Sequence, residues 1–583
     1  MKSITCDING VQVTVPEGTS IGAAAREANV HVPALCYHPD LPAWAACGIC
    51  VVKIDGSPKL TRACAASVFD GMKVTTHDPE LHQVRKTVIE LILSTHPNTC
   101  LTCPRNGSCE LQKLAADFGI REIPFEHKPP TLPVDDSTPS IVLDPEKCIK
   151  CGRCVSVCQG LQDVWALEFI GRGDGTRMAP AGDISLDESP CIKCGQCSAH
   201  CPVGAIYEKD QTATVFEGIR NPKTFSAVQV APAVRVAIGE EFGFAPGEIK
   251  TGQLYAALRR LGFDAIFDTN FAADLTIMEE ANEFVSRLTK GTGAMPMITT
   301  CCPSWVDYME KYYPELIPHF STAKSPQMMM GAMVKTYFAK KRGLDPANIF
   351  HASIMPCTSK KYEIARGDDM YSSGAPDIDV SITTRELARM IRSAGIDFAN
   401  LPEEQADDWL GAYSGAGTIF GATGGVMEAA LRSAYFFATG KELDDVEFNQ
   451  VRGMEGFREA TIDIDGTPIR VAIGHQMANA RKIADRVLAA KEAGEDPPWH
   501  FIEIMACRGG CIGGGGQPHG STDRTRKARI DGIYADDRKS EVRKSHKNPQ
   551  IVQLYEDFLG EPLSEASHKY LHTHYTPRKI YQR

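Results

Sequence analysis

The stretch Met505-Ala506-Cys507-Arg508-Gly509-Gly510-Cys511-Ile512-Gly513-Gly514-Gly515-Gly516-Gln517 sets what the C-terminal half of this chain folds around. Two thiols lie four residues apart among six glycines. On one helical turn Cys507 and Cys511 would share a side. Glycines there let the backbone approach something bulky. Such spacing on a helical turn is poor geometry for a disulfide. A buried metal cluster suits it better. Two cysteines rarely complete one, so further ligands must come from elsewhere in the chain.

At 583 residues the chain is long enough for several domains. No apolar run is long enough to span a membrane. The N-terminus, Met1-Lys2-Ser3-Ile4-Thr5-Cys6-Asp7, shows neither a basic-then-apolar leader nor twin arginines. The net charge of −11 argues against nucleic acid as a partner. An odd count of 21 cysteines points to metal thiolates in a reducing compartment, so the expectation is a cytoplasmic protein. Sixteen cysteines precede residue 202, and five follow at 301, 302, 357, 507 and 511. An N-terminal cluster-bearing arm and a C-terminal domain around one further site are implied.

The arm divides by its thiols. Alternating apolar residues around Asn9-Gly10 predict a hairpin, and Thr19–Ala28 a short capped helix. Cys36, Cys47, Cys50 and Cys64 follow, four thiolates fit for zinc or iron–sulfur. Pro79 to Leu93 reads as a helix with Val84, Val88, Leu91 and Ile92 on one face. Then come His96, Cys100, Cys103 and Cys109, an unusual set of one imidazole and three thiols. A proline-rich segment over residues 127–140 reads as an extended linker. Residues 141–210 hold a repeat, Cys148-x2-Cys151-x2-Cys154-x3-Cys158 and Cys191-x2-Cys194-x2-Cys197-x3-Cys201. This is the two-cluster bacterial ferredoxin pattern, in which the last cysteine of each run serves the other cluster. Cys148, Cys151, Cys154 and Cys201 then form one set, and Cys191, Cys194, Cys197 and Cys158 the other.

From Phe225 apolar strand-like runs (Val228–Val230, Val234–Ile238) alternate with helices, an α/β pattern. Leu275–Leu288 is an amphipathic helix with Ile277, Ala281, Phe284, Val285 and Leu288 inward. Glu280 borders that face, and Glu283 and Arg287 lie further round, which spacing alone reads as a solvated acidic face. Two further stretches carry thiols, Thr299-Thr300-Cys301-Cys302-Pro303-Ser304-Trp305 and Met355-Pro356-Cys357-Thr358-Ser359-Lys360-Lys361-Tyr362-Glu363. Each follows an apolar run, as loops at strand ends do in α/β folds. The glycines between Gly415 and Gly425 lack dinucleotide-binding spacing and read as a tight turn before a helix.

These three stretches resemble the signature motifs of the FeFe hydrogenases, and the resemblance covers the whole chain. The Cys36–Cys64 set resembles the 2Fe–2S domain, and the His96 set the His-ligated 4Fe–4S domain, shared by NADH dehydrogenases and hydrogenases. The resemblance implies that Cys302, Cys357, Cys507 and Cys511 hold the 4Fe–4S part of an H-cluster. Cys511 would bridge to a diiron subcluster carrying CO, cyanide and a dithiolate amine. Cys301 would pass protons, with Glu280, Ser321, Glu283 and Arg287 as the path to the surface. Lys360 would donate to a cyanide, and Met355, Pro356, Met505 and Gln327 would line the pocket. This chain departs from the usual motifs at Arg508, Gly513, Thr300 and Ser304. Arg508 would place a cation beside the cluster loop.

The expected architecture is therefore multidomain α/β and α+β. A β-grasp 2Fe–2S ferredoxin-like domain spans residues 1–80 and a small helical His/Cys3 4Fe–4S domain residues 81–126. A bacterial two-cluster ferredoxin domain occupies 141–210, and a large α/β H-cluster domain 211–520. A small-subunit-like extension over 521–583, basic from Arg524 to Lys547, is expected to wrap around the H-cluster domain, its charges mostly solvated. The implied reaction is 2 H⁺ + 2 e⁻ ⇌ H2. The implied cofactors are one 2Fe–2S cluster, three accessory 4Fe–4S clusters and the H-cluster. Implied partners are ferredoxin or NAD(P)H-oxidising flavoprotein and 2Fe–2S subunits in a hetero-oligomer, and maturation proteins. A hydrogen-sensing paralogue should lack the spare thiol Cys301, and an NADH dehydrogenase subunit should lack the three C-terminal motifs.

Overall fold

Asn9 and Gly10 both take positive φ, 55° and 87°, and the strands Ser3–Ile8 and Val11–Pro16 pair antiparallel across them. This computed structural model describes residues 2–582. Lys73–Thr75 adds parallel to Ser3–Ile8, and Val51–Ile54 and Thr61–Arg62 complete a five-stranded mixed sheet. The helix Ile21–Glu27, capped by Ser20, buries Ile21, Ala24 and Ala25 in the same core.

The helix Pro79–Ser94 starts where Asp78 accepts the N–H of Leu81. Its inward face differs from the expected one. Leu81, Arg85 and Ile89 are buried, whereas Leu91 is 48% exposed. Arg85 turns in because its guanidinium donates to the carbonyls of Ile49, Val51 and Thr76 (3.1, 2.6 and 2.7 Å). Residues 121–140 contain no helix or strand. They are nonetheless anchored: Glu146 accepts the N–H of Leu132, Asp135 that of Leu186. The repeat that follows is closed by Ile141–Leu143 pairing antiparallel with Ile206–Glu208.

Two four-stranded sheets carry the C-terminal half. One is wholly parallel, in the order Ala265–Asp268, Phe225–Val230, Ile349–Met355, Val380–Thr383. The other runs Met297–Ile298, Phe501–Met505, Thr467–His475, Phe457–Ile464, with only its last pair antiparallel. The strands of the first sheet and Phe501–Met505 of the second are buried on both faces, which explains their continuous apolar runs, whereas the edge strand Phe457–Ile464 keeps exposed positions. Val234–Ile238, expected as a strand, is instead a turn leading into the short 3-10 helix Ile238–Phe242. Its apolar residues pack at the end of the sheet, past Pro232, rather than within it. The 415–425 run is likewise more structured than a tight turn: it holds a helix, Gly415–Ile419, before the helix that starts at Gly425.

The tail forms helices Asp523–Lys539, Pro549–Leu554 and Glu565–Leu571. Its basic stretch is not simply solvated. Arg526 and Arg529 are 3% and 0% exposed, paired with Asp40 and Glu240. The last residues lie along the large domain: the N–H groups of Thr573 and Arg578 donate to the carbonyls of Thr322 and Glu310, both at 2.8 Å.

Candidate active site and its cluster relay

Four parallel strands end at the same place. Phe225–Val230 runs into Ala231–Ala233, Met297–Ile298 into Cys301 and Cys302, Ile349–Met355 into Pro356 and Cys357, and Phe501–Met505 into Cys507 and Cys511. All of these loops line one cavity. Lys360, Gln327, Met355, Pro356 and Met505 line it too, so every pocket residue expected from the sequence is there. The site lies outside the carboxyl ends of the strands, where open α/β sheets hold ligands.

The glycine-rich stretch does not form a helical turn. Gly509 and Gly510 take φ of 77° and 91°, and only Cys511–Gly513 is 3-10. Its glycines chiefly permit backbone to meet backbone. A Cβ on Gly514 would lie 2.1 Å from the Pro356 carbonyl oxygen, and one on Gly515 2.4 Å from that of Cys194. Gly509 and Ile512 exchange backbone bonds with Thr423 and Gly421, which gives the 415–425 run its place beneath the turn. Arg508, expected as a cation beside the loop, is paired to Asp523 at 2.7 and 2.6 Å, so its charge is matched at the surface.

All 21 cysteines are unpaired. Burial, then repulsion from neighbouring thiolates, pushes the thiol of Cys357 up to about 12 and that of Cys507 well above the usual range. Four such thiolates cannot share a dry cavity unless a cation joins them, so the donor set fits a metal cluster. Ala506 N–H already points at Cys302 Sγ (3.4 Å), and the amide of Gln196 at Cys507 Sγ (3.2 Å). Burial opposes the charge on Lys360, but Glu363 at 2.7 Å holds its ammonium in the charged form. Lys360 Nζ also donates to the Cys301 carbonyl at 3.2 Å. Gln327 donates to Glu363 and accepts from Ser353, so its amide is held in place by protein.

The acidic helix face is not solvated. Glu280, Glu283 and Arg287 are 0%, 8% and 6% exposed. Burial, and then Glu283, raise the Glu280 carboxyl to about 8, and both its oxygens lack a hydrogen-bond partner. Burial first and Glu280 next push Cys301 upward. Ser321 Oγ donates to Glu283 at 3.0 Å and Arg287 at 2.5 Å. Arg287 is fixed further by the carbonyls of Ala294 and Phe320. Two residues missed in the sequence also reach this group. Thr322 N–H donates to Glu283 at 3.1 Å, and Thr322 Oγ1 lies 2.7 Å from His572 Nδ1. No motif signals this, because His572 arrives from the tail.

Smaller cavities continue the line. One gathers Cys158, Cys191, Cys194 and Cys197, a second Cys148, Cys151, Cys154 and Cys201, and a third His96, Cys100, Cys103 and Cys109. His96 is buried with Nε2 unpartnered while Nδ1 accepts the N–H of Asn98, so one ring nitrogen is left for a ligand. Cys36, Cys47, Cys50 and Cys64 crowd together closely enough to perturb one another's titration, Cys36 with Cys47 and Cys64, and Cys50 with Cys64. Each of these sets fits a cluster by the same crowding of thiols.

Comparison with known proteins matches this geometry to named families. Residues 224–515 match the family described as iron only hydrogenase large subunit, C-terminal domain, and residues 523–578 the iron hydrogenase small subunit. The arm matches a 2Fe-2S cluster binding domain (1–79), an NADH-ubiquinone oxidoreductase-G iron-sulfur binding region (85–124) and a 4Fe-4S dicluster domain (147–205). The chain is 46% identical to the NADP-reducing hydrogenase subunit HndD of Solidesulfovibrio fructosivorans, covering 99% of this chain and 100% of that one. It is 42% identical to iron hydrogenase 1 of Clostridium pasteurianum over the same shares, 99% and 100%. A solved apo FeFe-hydrogenase from Chlamydomonas reinhardtii superposes with TM-score 0.56 at 42% identity, covering 64% of this chain and 100% of that one. With a full-length match, a family match to the domain around the cavity and three matched iron–sulfur domains, the chain belongs to the FeFe hydrogenases, enzymes that oxidise and produce molecular hydrogen.

Proposed function

We propose that Cys302, Cys357, Cys507 and Cys511 would hold the 4Fe–4S part of an H-cluster, with Cys511 also serving as a ligand toward the diiron subcluster. That group, with its CO, cyanide and dithiolate amine ligands, supplies the metal centre at which the H–H bond forms and breaks. The chain's own residues handle protons and exclude water. Cys301 exchanges a proton with the site. Glu280, protonated near physiological pH, gives up its own proton on one side as it receives one on the other, relaying between Cys301 and, through Ser321, Glu283, which Arg287 holds in place. Lys360 keeps a positive charge at the cavity wall, suited to an anionic cyanide. Met355, Met505, Pro356 and Gln327 shape the dry remainder. The four accessory ligand sets would hold one 2Fe–2S and three 4Fe–4S clusters, which would supply the path for electrons. The observation that carries this reading is the convergence of five thiols on one cavity, with only Cys301 backed by an unpartnered carboxyl.

Full-length similarity to an NADP-reducing hydrogenase subunit supports a hetero-oligomer, in which flavoprotein and 2Fe–2S partners handle NAD(P)H. Co-purification from the native host tests that arrangement. Infrared spectroscopy of protein matured with its assembly factors tests the site: CO and cyanide stretching bands are expected. Their absence from active protein would overturn the cofactor assignment.

A further inference from the structure

Asp307 sits on the helix Pro303–Tyr312, just past the first cysteine motif, and is 0% exposed. Three cations converge on this one carboxylate. Lys311 Nζ lies 3.0 Å away, Lys193 Nζ 3.6 Å, and the guanidinium of Arg578 is in direct contact. Lys311 and Lys193 are 4% and 1% exposed. The only other carboxylate paired with them among the described residues is Asp187, half exposed and 3.7 Å from Lys193. Burying cations beyond the available anions is costly, so this arrangement calls for a further negative group.

Its position shows where that group belongs. Both ammoniums donate to the carbonyl of Cys191, Lys311 at 2.8 Å and Lys193 at 3.4 Å. The N–H of Lys193 points at Cys191 Sγ (3.3 Å). Lys193 also stands over the ring of Tyr362, 4.7 Å from its centroid, and Arg578 bonds the hydroxyl of the same tyrosine. Tyr362 belongs to the second cysteine motif, so loop, motif and tail meet here. The neighbouring cavity, ringed by Cys158, Cys191, Cys194 and Cys197, is also the one in contact with the active site: Thr358 Oγ1 donates to the Lys193 carbonyl, and Gln196 to Cys507 Sγ.

We propose that Arg578 of the tail, together with Lys193 and Lys311, raises the reduction potential of the accessory cluster next to the active site. The inference rests on the reading that Cys158, Cys191, Cys194 and Cys197 hold a cluster. Each electron added makes a thiolate-bound cluster more negative, and buried cations beside it stabilise that reduced form. The tail is then an electrostatic part of the relay as well as a strap. The cluster nearest the active site becomes the favoured resting place for an electron about to enter it.

The test is an EPR-monitored redox titration of the full chain carrying its iron–sulfur clusters but not the diiron subcluster. At the parent midpoint, Arg578→Gln and Lys193→Gln should each lower the reduced-to-oxidised ratio of this one cluster by about threefold or more; a tenfold change in that ratio would be ~59 mV for one electron. Arg578→Lys should keep the parent value. The other clusters serve as internal references and should not move. Arg578 lies in the partly exposed tail, so its replacement tests the charge without a buried cavity. An unmoved midpoint in both Gln variants, or an equal shift in every cluster, overturns the proposal. A missing signal from this cluster in the parent chain overturns the ligand assignment instead, and the proposal falls with it.

Discussion

Glu280 shows what one buried carboxyl contributes. Folded, it keeps its proton up to about pH 8, because burial and then Glu283 disfavour its charge. The unfolded chain releases that proton near pH ~4.3. Between those values the unfolded state binds fewer protons, so stability is highest below the lower pH and is lost as pH rises toward 8. Glu280→Gln should remove this dependence, leaving the variant more stable than the parent at pH 9 by about a few kcal/mol at most. Its hydrogen turnover should fall roughly 10²- to 10⁴-fold, the usual contribution of a positioned acid–base group. Thermal unfolding at pH 5 and pH 9, with hydrogen evolution on the same samples, checks both. Equal stability at pH 9 would contradict the burial argument, and retained turnover would remove Glu280 from the path. The thiols were legible in the sequence because ligand spacing is local. The burial of Glu283 and Arg287 was not. It is imposed by the carbonyls of Ala294 and Phe320 and by Thr322, in segments distant from the helix.

At the scale of elements, hairpin and caps followed from local rules: Asn9-Gly10 for the turn, Ser20 and Asp78 for helix starts. Local rules failed at Val234–Ile238, where apolar residues cap a sheet instead of extending it, and at Gly509–Gly510, where positive φ breaks the helical turn. The glycine-rich turn is better understood as a joint. Gly515 lies against the backbone of Cys194 and Gly195, and Gly514 against Pro356. Gly515→Ala should therefore push the ferredoxin loop away from the active-site loop. Such overpacking costs ~1–3 kcal/mol. The variant should show a lowered melting temperature. Electron delivery through the arm should fall more than hydrogen–deuterium exchange catalysed at the site, since only the former crosses the joint. If both activities fell equally, the clash would be acting on the site itself.

Over the whole molecule, the arm is not a string of separate beads. One hydrophobic cluster runs from Leu35 and Ile89 through Val157 and Ile192 to Trp305, Ala506 and Cys507, joining the cluster-bearing domains to the large one. Within the arm that core is built around its thiol cavities, and Cys154, Cys191, Cys197 and Cys201 are members of it. The two-sheet half has three further cores containing few thiols, centred on the strands Phe225–Val230, Ile349–Met355 and Thr467–His475 and the helix Thr269–Lys290. Cluster loss should therefore act unevenly. Without metal, crowded thiols in the arm lose the cations that join them, and binding energy that was also folding energy disappears. The large domain keeps most of its apolar burial. Chain produced under iron starvation should show fast amide exchange from about residue 36 to residue 205, while strands Phe225–Val230 and Ile349–Met355 stay protected. Protease should cut the arm first and leave a resistant fragment beginning near Phe225. The tail should remain with that fragment through Arg529–Glu240 and Arg578–Asp307. Simultaneous loss of protection in arm and sheets would mean that the shared core, and not the individual cavities, governs folding.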